Sequence, residues 1–207
     1  MGEMSGYFVP ASEGASEYIE KRSVFLGRVC RVESEDEAKD FIASVKKEHR
    51  DARHNCWCYI IRGGTERYSD DGEPQGTAGL PMLEILRREG ITNAVCVVTR
   101  YFGGILLGTG GLFRAYGKAA KDALDAAGRE EIVPRAVFSV PCPYPIFDKM
   151  KLGISELSGI VENAEYGEFV KLTVSVPEEG ADGFAERIYD LSSGTVSPER
   201  LSSEQSL

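Results

Sequence analysis

Residues 132–201 read IVPRAVFSVPCPYPIFDKMKLGISELSGIVENAEYGEFVKLTVSVPEEGADGFAERIYDLSSGTVSPERL. Ile132 to Val140 is strand-like, and Tyr144 to Gly153 carries helical spacing. Gly159 to Tyr166 and Phe169 to Val176 read as a hairpin turning at Gly167, Ala181 to Leu191 as a helix, and Thr195 to Leu201 as a last strand. That order, βαββαβ, is the signature of a ferredoxin-like sandwich. It predicts an α+β domain over residues 131–207 that folds on its own, with Ser202 to Leu207 as a frayed tail.

Upstream the pattern is longer and less regular. Residues 1–17, with Pro10, Gly14 and several small polar residues, predict a flexible arm before a first domain over 18–130. Tyr18 to Val32 reads as one long strand-like stretch. Ser34-Glu35-Asp36-Glu37 makes a capping box for a helix through about His49, with Ala38, Phe41, Ile42 and Val45 at helical spacing. Arg53 to Arg62 and Thr65 to Ser69 form a hairpin about Gly63-Gly64. After a loop over Asp70 to Gly79, a helix opens near Thr77 and runs to Arg88. A buried strand follows over Asn93 to Tyr101, then a second glycine-rich loop, then a helix from about Gly111 to Ala127 stopped by Gly128.

The composition of the 207 residues, 42% apolar and 28% charged, belongs to a globular protein of one or two domains. No window reaches the run of roughly 18–20 apolar residues that a membrane span needs. Met1 to Ser5 lacks the start of a signal peptide, so a cytoplasmic location without membrane contact is expected; Gly2, followed by Glu3, is a poor acylation site. Five cysteines are an odd number, scattered through apolar runs, and predict reduced, buried thiols. The net charge of −9 is uneven: residues 1–130 hold 18 basic and 20 acidic residues, whereas residues 131–207 hold 6 and 13. The acidic back part excludes nonspecific polyanion binding over the whole surface and leaves a local basic site in the front part.

The most unusual chemistry lies in two loops that precede helices, 69–79 and 100–111. Glycines at Gly76, Gly79, Gly108, Gly110 and Gly111 bare backbone amides where a helix N-terminus favours an anion. They serve equally well to let helix and strand pack closely. Neither loop completes a phosphate fingerprint, since Leu112 stands where a P-loop would need glycine. Asp70, Asp71 and Glu73 could hold a hard cation or act as an acid and base pair, but such residues are more often turn formers. His54, Cys56 and Cys58 alternate and share one strand face, yet no further paired ligands complete a zinc site and the spacing suits a catalytic dyad poorly. No metal, cofactor or catalytic residue is therefore expected. Arg22, Arg53, Arg100 and Arg114, with Tyr101, Phe102 and Tyr116 near two of them, suit phosphate and base recognition, or equally a protein interface.

The runs Asp70-Asp71-Gly72-Glu73-Pro74-Gln75-Gly76-Thr77-Ala78-Gly79 and Val98 to Tyr116, with Lys21 to Phe25 and Asp51 to Cys56, closely resemble the YigZ/IMPACT family over about residues 18–128. The back part resembles the extra C-terminal domain of its bacterial YigZ-type members. Gln75, Leu106, Phe113 and Cys58 depart from the family pattern without removing a charged position. The resemblance implies a first domain similar to the second domain of ribosomal protein S5 and to domain IV of elongation factor G. It implies a second domain similar to the ferredoxin-like domain V of that factor. It also implies a regulator of translation, during initiation or stress, that contacts RNA, the ribosome or a translation-related protein, with DNA not expected. The alternative is an enzyme acting on a phosphorylated small molecule. The proline-dipeptidase label carried by some members is not supported, because His49 and His54 are the only histidines. On this basis the binding surface comprises Arg22, Ser23, Arg53, His54, Asn55, Asp70, Asp71, Glu73, Thr77, Arg100, Tyr101, Phe102, Gly103, Gly104, Gly108, Gly110, Gly111 and Arg114. Of these, His54, Asp70, Asp71, Arg100 and Arg114 are expected to line one face.

Overall fold

The computed structural model describes residues 6–201, so the predicted frayed tail and the reading of Met1 to Ser5 lie outside the described residues. The chain forms two compact units, Tyr7–Ile132 and a second that begins at Val133. This is a two-domain α+β layout. No helix among the described residues is long and apolar enough to cross a membrane.

The first unit opens with β1 (Tyr7–Pro10), inside the segment whose composition predicts a flexible arm. β1 is held because it pairs antiparallel with residues 129–132, because Phe8 O accepts from Thr92 N at 2.9 Å, and because Arg62 lies 4.0 Å from the Tyr7 ring. None of these partners is local. The expected long strand over Tyr18 to Val32 is instead a hairpin of β2 (Gly14–Glu20) and β3 (Ser23–Arg31). Its two-residue turn, Lys21 at φ 45° and Arg22 at φ 67°, takes left-handed backbone without the glycine or asparagine that usually announces it.

Helix α1 (Glu35–Glu48) follows as expected, its Glu37 amide donating to Ser34 Oγ at 3.2 Å. The Glu37 carboxylate reaches one residue further than in a full capping box, accepting from Glu33 N at 2.8 Å. Next come β4 (His54–Ile61), β5 (Thr65–Ser69), α2 (Gly79–Arg88), β6 (Ala94–Tyr101), α3 (Thr109–Ala127) and β7 (Arg129–Ile132), the partner of β1. Five strands make one antiparallel sheet in the order β2-β3-β6-β4-β5. β6 is central and covered on both sides, which is why its sequence is a continuous apolar run. Val95 and Val97 pack with Ala38, Ile42 and Val45 of α1. Ala94, Cys96 and Val98 face the cluster formed with Met82, Leu83 and Leu86 of α2 and the alanine-rich face of α3.

The second unit comprises β8 (Arg135–Cys142), α4 (Phe147–Glu156), β9 (Ile160–Tyr166), β10 (Val170–Pro177), α5 (Ala181–Leu191) and β11 (Glu199–Arg200). Its sheet order is β11-β8-β10-β9, with every neighbour antiparallel. The first strand begins at Arg135, not Ile132, because Arg129–Ile132 is used in the pairing with β1. The last strand is two residues long, Pro198 having no N–H to give a ladder. Phe138, Val140, Leu172 and Val174 from the sheet close a core with Met150, Ile154, Phe184 and Ile188 from the helices.

Candidate functional site

The loop after β5 is built around two carboxylates. Asp70 turns inward and accepts backbone amides from Gly76 at 2.8 Å, Ala78 at 3.0 Å and Gly79 at 2.9 Å. It thereby fills the N-terminus of α2 with the chain's own negative charge. Asp71, at φ 44°, accepts from Asn55 N and from Lys46 Nζ, both at 2.8 Å. Neither carboxylate is open for a cation, and no group of three or more ligating side chains lies together among the described residues. Both act as turn and cap residues.

Glu73, in the same loop, has a different environment. Its Oε1 accepts from Arg100 Nη1 at 2.7 Å and from Tyr116 Oη at 2.8 Å. Arg100 is 5% exposed and Tyr116 fully buried, so this is an interior ion pair joining the first loop to β6 and α3. Buried Ser23 Oγ lies under Arg100 Nη2 at 3.4 Å and accepts from Gly103 N at 3.2 Å. The guanidinium carbon of Arg100 is 5.5 Å from the Phe25 ring and 5.4 Å from that of Phe102. Its Nε is buried with no hydrogen-bond partner. Cys56 donates to Asp70 O at 3.0 Å, and burial pushes its thiol, like that of Cys58 and the Tyr116 hydroxyl, well above the ordinary range. Burial therefore disfavours a thiolate at Cys56 and Cys58, the two cysteines that share a strand face with His54.

A cleft of about 400 Å³ opens beside this pair, bordered by Arg53, His54, Glu73, Arg100, Phe102 and the start of α3. His54 Nδ1 lies 2.8 Å from Asp71 O. A carbonyl can only accept, so Nδ1 carries a proton, and in the neutral ring Nε2 is the acceptor. Gly108 precedes α3 at φ 71°, and the helix has neither a side-chain cap nor an acidic residue in its first turn. The first-turn amides are thus left without the internal carboxylate that α2 has. Exposed Arg53 has its guanidinium carbon 5.9 Å from the Phe102 ring.

The expected surface divides. Arg53, His54, Glu73, Arg100, Phe102 and Gly108 meet at the cleft. Arg100, expected as a free phosphate ligand, is instead spent in the buried pair with Glu73. Asp70 and Asp71 face into their loop, so the five residues expected on one face do not share it. Asn55 is buried, accepting from Thr99 Oγ1 at 2.7 Å, and Thr77 closes the turn by donating to Pro74 O at 2.6 Å, which delays α2 to Gly79. Tyr101 points to the other sheet face, accepting from His49 Nδ1 at 3.0 Å and donating to Asp51 at 3.2 Å. Arg114 and Gly111 border a neighbouring hollow with Lys21 and Lys118, and Gly110 is exposed in the first turn of α3. Gly104, at φ 83°, is a turn residue of the second loop. Gly103 is a packing residue: a Cβ there would fall 2.0 Å from the carbonyl carbon of Arg22 in the hairpin turn. Pro74, Leu107, Thr109 and Leu112 also border the cleft and carry no chemical signature that would single them out in the sequence.

The Impact N-terminal domain family matches residues 21–124, and residues 140–195 match a domain of unknown function, DUF1949. The chain is 36% identical to the IMPACT family member YvyE of Bacillus subtilis over 92% of its own length and 89% of that protein's. It is 34% identical to the IMPACT family member YigZ of Escherichia coli over 93% and 97%. The likeness to Protein IMPACT of Rattus norvegicus is 31% over 48% of this chain and 32% of that one. A crystal structure described only as an hypothetical protein aligns over 97% of this chain and all of its own, at 33% identity and a TM-score of 0.64. With both domains matched in order and the bacterial relatives covered almost end to end, the chain belongs to the IMPACT family.

Proposed function

We propose that this chain is a cytoplasmic, non-enzymatic RNA-binding protein that regulates translation, with its contact surface on the first domain. The observation that carries this reading is the end of the first unit where the second glycine loop meets α3. Exposed Arg22, Arg53 and Arg114 make no ion pair among the described residues, Phe102 is 40% exposed, and Leu106 is 83% exposed at the loop tip. Unpaired guanidinium groups beside an exposed ring and bare helix amides suit a sugar-phosphate strand. We also read the first domain as S5-like, resembling domain IV of elongation factor G. The second is read as ferredoxin-like, because its split βαβ units give the order β11-β8-β10-β9. Fold alone assigns no activity.

The test is binding of a labelled single-stranded RNA at several salt concentrations. Arg53→Ala and Arg114→Ala are each expected to lower the slope of log affinity against log salt by about 0.7. A wild type that binds no RNA while retrieving a protein partner overturns the reading and makes the surface a protein interface.

A further inference from the structure

We propose that the cleft at the start of α3 is a subsite for one ribonucleotide of a single strand, taking a phosphodiester against the first-turn amides and Arg53 and a ribose 2′-hydroxyl on His54 Nε2. This rests on the RNA-binding reading above and names the chemistry of its site.

The donors come first. α3 is a 19-residue helix whose N-terminus has no side-chain cap and no acidic residue in its first turn. Independently, Arg100 borders the cleft, is 5% exposed, and keeps a buried Nε–H with no acceptor. Buried donors are nearly always paired, so this orphan marks a place where a ligand's oxygen belongs. The charge balance selects the kind of anion. Glu73 neutralises Arg100 through the 2.7 Å pair, which leaves Arg53 and the roughly half charge of the helix end. That net balance matches a phosphodiester, with one negative charge, and the nearby Glu73 carboxylate opposes the second charge of a phosphomonoester.

The acceptors come next, and a phosphodiester cannot satisfy them. In its neutral ring His54 offers Nε2 as an acceptor, because Nδ1–H is committed to Asp71 O. Glu73 receives both its hydrogen bonds on Oε1, which leaves Oε2 without a protein donor. A site that sets orphan donors beside orphan acceptors calls for a ligand with an anion and a hydroxyl close together. A ribonucleotide provides that, and its 2′-hydroxyl is what separates RNA from DNA. Pro74, Leu107 and Leu112 make the remaining wall apolar, which suits a sugar and base held without edge readout. The volume of about 400 Å³ suits a small ligand, not a folded duplex.

The experiment uses the full chain and charge-matched oligouridylates in three forms: RNA, DNA and 2′-O-methyl RNA. RNA is expected to bind about tenfold more tightly than the other two, the worth of one well-placed hydrogen bond. His54→Ala is expected to bring RNA down to the DNA level and leave DNA unchanged. The ligand-side comparison needs only the wild type and stands even if the variant folds poorly. In a second arm, dimethyl phosphate should compete with the RNA at a lower concentration than inorganic phosphate. Equal affinity for the three oligonucleotides, or stronger competition by inorganic phosphate, overturns the subsite. If RNA binding and its Arg53-dependent salt slope persist without sugar discrimination, only the subsite fails; if no RNA binds, the RNA reading fails with it.

Discussion

The loops 70–79 and 102–111 are both rich in glycine, both lead into helices on the same face of one sheet, and they solve the same electrostatic problem in opposite ways. In the first, Asp70 folds back and takes three amides at the head of α2. In the second, Gly108 leads into α3 with no carboxylate within its first turn. A glycine-rich loop before a helix is therefore not yet a ligand site. What decides is whether the chain carries an acidic residue at a distance that lets it cap its own helix. The Glu73–Arg100 pair joins the first loop to the strand that leads into the second, so each can be perturbed against the other.

The largest expected effect is on the joint. Arg100→Met leaves Glu73 buried without its counter-ion and is expected to cost about 3–5 kcal/mol in urea denaturation, with much of the loss recovered when Glu73→Gln is added. A single variant within error of the wild type would mean that the pair does not tie the loops together. Next in size, Asp70→Ala strips the amides of α2 and is expected to cost about 2–3 kcal/mol. Thr109→Ala, at the start of α3 where no side chain caps the helix, should stay within about 0.5 kcal/mol. Equal effects would erase the contrast between filled and empty helix ends.

A third test uses pH. Burial raises the Cys56 and Cys58 thiols and the Tyr116 hydroxyl, so the folded state favours their protonated forms. The stabilising contribution of the thiols is whole below their ordinary value of about 8.5 and declines above it, and that of Tyr116 declines only above about 10, each by up to about 1.4 kcal/mol per pH unit. Cys56, whose thiol bonds to Asp70 O beneath the first loop, should account for part of this. Denaturation at pH 8, 9 and 10 is expected to show a shallower decline in Cys56→Ala, and an unchanged decline would remove Cys56 from the account. The smallest effect is the most pointed. Gly110→Asp gives the second loop what the first already has, and a Cβ there meets Arg114 Nη1 at an ordinary 3.5 Å. It is expected to raise stability by about 0.3–1 kcal/mol while abolishing RNA binding. Retained binding would show that the bare amides hold no ligand.

Legibility in the sequence followed the range of the interactions. α1 was readable because a side-chain cap and a helical repeat lie within one segment. The hairpin turn at Lys21-Arg22 was not, since its left-handed backbone is imposed by pairing between β2 and β3 and has no turn residue to advertise it. β1 was equally hidden, its partner lying more than a hundred residues away. At the site, the basic and aromatic residues of the second loop were visible, but their division was not. Arg100 and Tyr101 are consecutive on a strand, so alternation alone sends them to opposite faces, a signal that was available. The pairing of Glu73 with Arg100 and Tyr116 spans 27 and 43 residues, and no local period encodes it.

The tip of the β2–β3 hairpin is wound against its own preference, two side-chain-bearing residues at positive φ costing roughly 1–2 kcal/mol each. Gly103 of the second loop is pressed so closely to the Arg22 carbonyl that not even a methyl group fits between them. Tip and loop therefore cannot shift independently of one another: Gly103→Ala must displace one or the other, and is expected to show as faster solvent exchange of the amides around Arg22 and Ser23.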